Sequence, residues 1–99
     1  MDEALRLALT YPYPQASADF RRQVEAIAAF DGRADLARIT APTLVLGGTE
    51  DLLYSPADSA ALADRIPNAR MQLIDGAAHA IHLERPEAFV AVLAEFSVA

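Results

Sequence analysis

The sequence predicts an α/β domain built on one parallel β-α-β unit with flanking helices. Three observations carry this. Thr43–Leu46 is a short apolar and β-branched run without polar alternation, as a strand buried on both faces requires. Met71–Ile74 is a second short strand-like run, closed by the turn signal Asp75-Gly76. Between them Ser55-Pro56 offers an N-cap and a proline at the first helical position. A strand–helix–strand of this length is nearly always a parallel crossover.

Composition narrows the setting. Ninety-nine residues make one domain at most, or part of one. The chain is 54% apolar with a mean hydropathy of +0.17, a surplus that implies deep burial or a surface that meets other protein. A net charge of −6, with all eight cations Arg, leaves no basic stripe for phosphates and excludes nucleic acid as an expected partner. The absence of Cys removes disulfides, thiolate ligands and Cys nucleophiles, and fits a cytoplasmic protein. No apolar run approaches about 18 residues, so no membrane span is expected. The acidic start lacks the basic region of a signal peptide.

The elements follow in order. Residues 3–9 suit a short helix, with Leu5 and Leu9 on one side, and Tyr11-Pro12-Tyr13-Pro14 ends it in extended backbone. That stretch reads as a connector whose tyrosines cover apolar neighbours, or more sharply as a pocket lining. Ser17 is the expected N-cap of a helix over about 18–30, with Phe20, Val24 and Ile27 facing a core and Asp31-Gly32 stopping it. A short turn at Ala34–Arg38 precedes the first strand, which Gly47-Gly48 closes. The crossover helix covers about 56–66, with Leu62 and Ile66 as its stripe. Pro86 opens a last helix over 86–97, with Phe89, Val92, Leu93 and Phe96 at i, i+3, i+4 and i+7.

Parallel strands end at the same edge of their sheet. Asp51 follows the first strand and His79 follows the second by similar distances, so one rim receives a carboxylate and an imidazole. Ligands and chemistry in open α/β sheets sit at that rim. A carboxylate on one ring nitrogen fixes the tautomer of a histidine base and stabilises its imidazolium. The bland alternatives are a loop carboxylate capping a turn and a solvated histidine. Glu50 is adjacent, but the spacing from Gly47 favours Asp51. No nucleophile accompanies the pair: none of Ser17, Ser55, Ser59 and Ser97 has glycines at −2 and +2 or directly follows a strand.

The segment Ile39-Thr40-Ala41-Pro42-Thr43-Leu44-Val45-Leu46-Gly47 with Asp51 and Pro56 resembles the region around the acid of α/β-hydrolase fold enzymes. Ile66-Pro67-Asn68-Ala69, Gly76-Ala77-Ala78-His79 and Glu84-Arg85-Pro86-Glu87-Ala88-Phe89 resemble their histidine segment. Ala78 stands where the family form has Gly, a mild substitution that adds a methyl to the turn. The resemblance is good over about 34–97 and nearest to the enol-lactonase and small-esterase branch. It implies a partial α/β-hydrolase fold, with residues 1–33 as lid-end and linking helices and 34–99 as the C-terminal part of the core. It implies Asp51 as triad acid, His79 as base, a small-molecule ester or lactone as substrate of the complete enzyme, no cofactor, and a nucleophile in a portion not present, so that the chain alone is inactive.

Two further expectations remain. His79-x-x-His82-x-Glu84 has a metal-ligand look, but a metal site needs more ligands in fixed geometry, so no metal is expected. His82 is instead expected to pack under its loop and Glu84 to cap the last helix. Two parallel strands alone make a poor sheet, so self-association as a homodimer through the exposed strand edge is expected. The competing class is a non-catalytic interaction module in which Asp51 and His79 are relics.

Overall fold

The computed structural model describes residues 2–98, which divide into two compact units between Asp31 and Gly32. In the first, α1 (Glu3–Thr10) is capped by Asp2, whose carboxylate accepts the N–H groups of Ala4 and Leu5 at 2.8 and 3.2 Å. Its end at Tyr11 is extended, as the prolines demand. Tyr11 and Tyr13 stand edge to face at 6.0 Å, and both are exposed.

Helix α2 (Ser17–Ala29) starts one residue before the expected place. Ser17 is its first helical residue rather than its cap, because the first helical bond runs from Phe20 N–H to the Ala16 carbonyl. The expected core face is also corrected: Phe20, Val24 and Ile27 are 59%, 48% and 67% exposed. The helix stops at Phe30, and Gly32 has a φ of −93°, so no left-handed glycine ends it.

The second unit opens with a 3-10 turn, Arg33–Arg38, and continues as β1 (Thr43–Gly48), α3 (Pro56–Arg65), β2 (Ala69–Ile74), α4 (Ile81–Glu84) and α5 (Pro86–Ser97). The strands pair in parallel from Thr43↔Ala69 to Gly48↔Ile74. They form a two-stranded sheet, so each has one strand neighbour among the described residues. Ser55 caps α3 reciprocally: its Oγ accepts the Asp58 N–H at 3.2 Å, and the Asp58 carboxylate accepts the Ser55 N–H at 3.0 Å.

The glycines that were expected to close β1 belong to it, and close packing explains why they are glycines. A Cβ on Gly47 would lie 2.8 Å from Ser59 Oγ of α3, and one on Gly48 would lie 2.2 Å from the Ala77 carbonyl oxygen. The strand can therefore run two residues further and bring its end against the loop after β2.

The core is small. Ile74, Ala77 and Ile81 form its buried centre, with Leu46, Ala88, Phe89 and Val92 packed around them. Val45 and Ile66 are buried beside α3 contacts, while Leu62 is 40% exposed. On α5 the expected stripe is only partly inward: Leu93 is 42% exposed and Phe96 lies under the Arg70 guanidinium at 5.3 Å. The apolar surplus of the sequence thus reaches the surface, from Leu52 at 97% exposure to Leu83 at 74%. No helix among the described residues is long and apolar enough to cross a membrane.

Gly48→Ala should lower unfolding free energy by roughly 1–3 kcal/mol, since its methyl meets fixed backbone. Gly47→Ala should cost less, because its nearest atom is a serine hydroxyl that can rotate. Urea denaturation of both variants measures the difference; equal losses would contradict this packing.

Candidate active site

The strand ends are laced together before Asp51 and His79 are reached. Thr49 N–H donates to the Ile74 carbonyl at 3.2 Å and Glu50 N–H donates to the Ala77 carbonyl at 2.9 Å. Thr49 Oγ1 accepts the Gly76 N–H at 2.8 Å. Gly76 turns the chain with a φ of +74°, a conformation glycine adopts without cost. Ala77 beyond it is fully buried. Arg85 ties the same turn from the other side, donating to the Gly76 carbonyl at 3.1 Å and to the Glu84 carbonyl at 2.8 Å.

This lacing places the predicted pair in contact. Asp51 is 8% exposed, and its two oxygens divide their work. Oδ1 accepts the N–H groups of Leu53 and Tyr54 at 2.9 and 3.1 Å. Oδ2 lies 3.2 Å from His79 Nδ1. The Tyr54 N–H, ahead of the His79 ring and the Leu53 N–H, holds the Asp51 carboxyl below its ordinary value, against the opposing effect of burial. An ionised carboxylate only accepts, so Nδ1 carries the hydrogen. Among the described residues none hydrogen-bonds Nε2, and the His79 side chain is 57% exposed. The Tyr54 ring stands 5.6 Å from the His79 ring, tilted by 35°. A carboxylate–imidazole pair with one free ring nitrogen has the chemistry of a general base.

Glu50 uses its backbone N–H to join the loops, and its side chain is exposed, so Asp51 is the acid that meets His79. The histidine loop differs from expectation in three ways. Residues Ile81–Glu84 form α4 instead of an open loop. His82 is exposed, with its ring 6.1 Å from that of Phe89. Glu84 does not cap α5; it accepts the N–H groups of Ala78 and Ala80 at 3.0 and 3.1 Å. Among the described residues no three His, Asp or Glu side chains gather to hold a metal ion. Ala78 carries no backbone strain, since every described non-glycine residue has negative φ.

A hollow of about 270 Å³ opens beside the pair, with Val45, Leu46, Leu62 and Ile81 as apolar wall and Asp51, Tyr54, Asp58, Ser59 and His79 as polar lining. Sequence reasoning missed Thr49, Tyr54 and the role of Glu84. Tyr54 had a local signal: it stands three residues after an Asp in a loop, where a carboxylate commonly binds the following N–H groups.

Comparison with known proteins shows the family. A model of the alpha/beta hydrolase family matches residues 2–92. The crystal structure of the enol-lactonase from Burkholderia xenovorans LB400 superposes with a TM-score of 0.73 at 34% identity, over 82% of this chain and 31% of that one. A hydrolase from Pseudomonas aeruginosa PA01 gives a TM-score of 0.68 at 35% identity, over 75% and 28%. The Stutzerimonas stutzeri protein named "Putative carbamate hydrolase RutD" is 40% identical over 72 residues, 73% of this chain and 27% of its own length. The chain thus spans less than a third of each of these relatives.

The depressed Asp51 carboxyl makes stability depend on pH with a definite sign. Its folded-state value lies below the ordinary 3.8, so its contribution is complete above that value and is lost as pH falls through the folded-state one. Asp51→Asn should flatten this acid limb while leaving the slope above about pH 5 unchanged. Urea midpoints across pH 2–6, an interval set by the ordinary carboxylate range, measure it; an unchanged acid limb would show that Asp51 is not held this way.

Proposed function

The chain belongs to the alpha/beta hydrolase family, and from that premise we propose that it supplies the acid and base of a hydrolytic triad whose nucleophile lies outside its 99 residues. The observation that carries the reading is the 3.2 Å contact between His79 Nδ1 and Asp51 Oδ2. In the complete enzyme His79 Nε2 takes the proton of a nucleophilic hydroxyl as its oxygen bonds to the substrate carbonyl carbon. Asp51 stabilises the resulting imidazolium. The imidazolium then protonates the departing alkoxide as the C–O bond breaks, which leaves an acyl-enzyme. His79 next deprotonates a water that attacks the acyl carbon and restores the nucleophile.

The substrate class is a small ester or lactone. Relatives named for an enol-lactone and for a carbamate support it, since both present an electrophilic carbonyl carbon to the same step. No serine among the described residues hydrogen-bonds His79: Ser17 opens α2, Ser55 caps α3, Ser97 Oγ donates to the Ala94 carbonyl, and Ser59, which lines the hollow, lies within α3 beside Gly47. A second reading follows from the two-stranded sheet. With a free strand edge and wide apolar exposure, the isolated chain is a self-associating module, a homodimer joined edge to edge.

Purified chain should not hydrolyse an activated aryl ester above the imidazole background. Fused to the nucleophile-bearing part of a relative it should turn over, and His79→Ala should then lower kcat by at least about 100-fold. His79-dependent turnover by the chain alone would place the nucleophile within it, and a His79→Ala fusion of undiminished activity would sink the assignment of the base. Sedimentation at micromolar concentration should report a dimer; a compact monomer would remove the edge-pairing reading.

A further inference from the structure

We propose that Glu84 is a positioning residue for His79, a role that rests on the reading of His79 as the base. The loop between β2 and α4 hands its backbone to other groups at nearly every step. Gly76 N–H goes to Thr49 and Ala77 N–H to the Ile74 carbonyl at 3.3 Å. The next two donors around the histidine both go to one carboxylate: Ala78 N–H to Glu84 Oε1 and Ala80 N–H to Glu84 Oε2. The two oxygens therefore hold the N–H groups of the residues on either side of His79.

The carboxylate is itself held on a fixed base. Glu84 N–H donates to the Ala80 carbonyl at 3.0 Å, so the backbone and side chain of Glu84, at the end of α4, both bond Ala80 at its start. Ile81, at the start of α4, is buried with Ile74 and Ala77. Arg85 N–H donates to the Ile81 carbonyl at 2.8 Å, and its guanidinium holds Gly76. Glu84 thus couples the packed end of the core to the one exposed functional side chain.

The chemistry requires a carboxylate. Two N–H groups converge on Glu84, and only an ionised carboxylate accepts on both oxygens. A glutamine of the same shape keeps one acceptor and turns an N–H₂ group toward the second peptide N–H. The backbone on one side of His79 is then released, and the ring loses the angle at which Nδ1 meets Asp51. The site's own hydrogen bond cannot supply that angle alone, because the side chain is more than half exposed and Asp51 is its one hydrogen-bond partner among the described residues.

Nitrogen-15 NMR of the full chain tests this. In the unsubstituted protein His79 is in the Nδ1–H tautomer. In Glu84→Gln and Glu84→Ala the Nε2–H form should rise to a major share, and amide exchange should accelerate roughly tenfold, at one of Ala78 and Ala80 in Glu84→Gln and at both in Glu84→Ala, the loss expected for a hydrogen bond to a charged group. Asp51→Asn should shift the tautomer while leaving those two amides unchanged. A folded Glu84→Gln protein with the native tautomer ratio overturns the proposal. If Glu84→Ala loses its circular dichroism, Glu84→Gln decides; loss of fold in both also overturns it, since Glu84 would then be a fold determinant. Failure of the hydrolytic reading looks different: a native tautomer that Glu84 controls, in a fusion whose turnover ignores His79.

Discussion

The close approach of Gly48 to the Ala77 carbonyl governs what the rest of this chain can do. A parallel pair brings two strand ends to one rim, but it does not by itself bring two loops within hydrogen-bonding distance. Here the Gly48↔Ile74 register ends the ladder, and the absence of a side chain on Gly48 lets the second loop cross directly beside it. The Glu50–Ala77 and Thr49–Gly76 bonds follow from that contact. Asp51 and His79 each leave this junction within two residues, so their meeting is a consequence of backbone geometry rather than of their mutual attraction.

The pair is correspondingly economical. Asp51 binds its own loop with one oxygen and His79 with the other, so the carboxylate is oriented even before the imidazole arrives. His79 has no comparable support from its own side chain, and the bracing falls to the residues after it. Glu84 and Arg85 reach back over the loop to Ala78, Ala80 and Gly76. The result is a held carboxylate, an imidazole beside it and an open hollow next to them, on a domain whose buried core is only a handful of residues.

Much of this was legible in the sequence because it is local. Strand runs, the Ser55-Pro56 helix start, the Asp75-Gly76 turn and the similar spacing of Asp51 and His79 from the strand runs Thr43–Leu46 and Met71–Ile74 follow from short-range chemistry. What escaped depends on contacts between distant segments. Gly47 and Gly48 look like a strand terminator unless Ser59 and Ala77 are known to lie against them. Glu84 looks like a cap for the helix it precedes, and its choice of Ala78 and Ala80 is visible only once α4 has formed. The apolar face of α2 followed the pattern of a packed helix, yet periodicity states only that a face is apolar, not that this chain covers it.

The register of two parallel strands brings the Asp51 carboxylate and the His79 imidazole together. The most direct measurement is the tautomer and through-space contacts of the His79 ring in the unsubstituted chain at neutral pH. The ring should be protonated at Nδ1, with that proton in slow exchange and close to the Leu53 and Tyr54 amides that share Asp51. A ring predominantly protonated at Nε2, with no contact to the Asp51 loop, would contradict it.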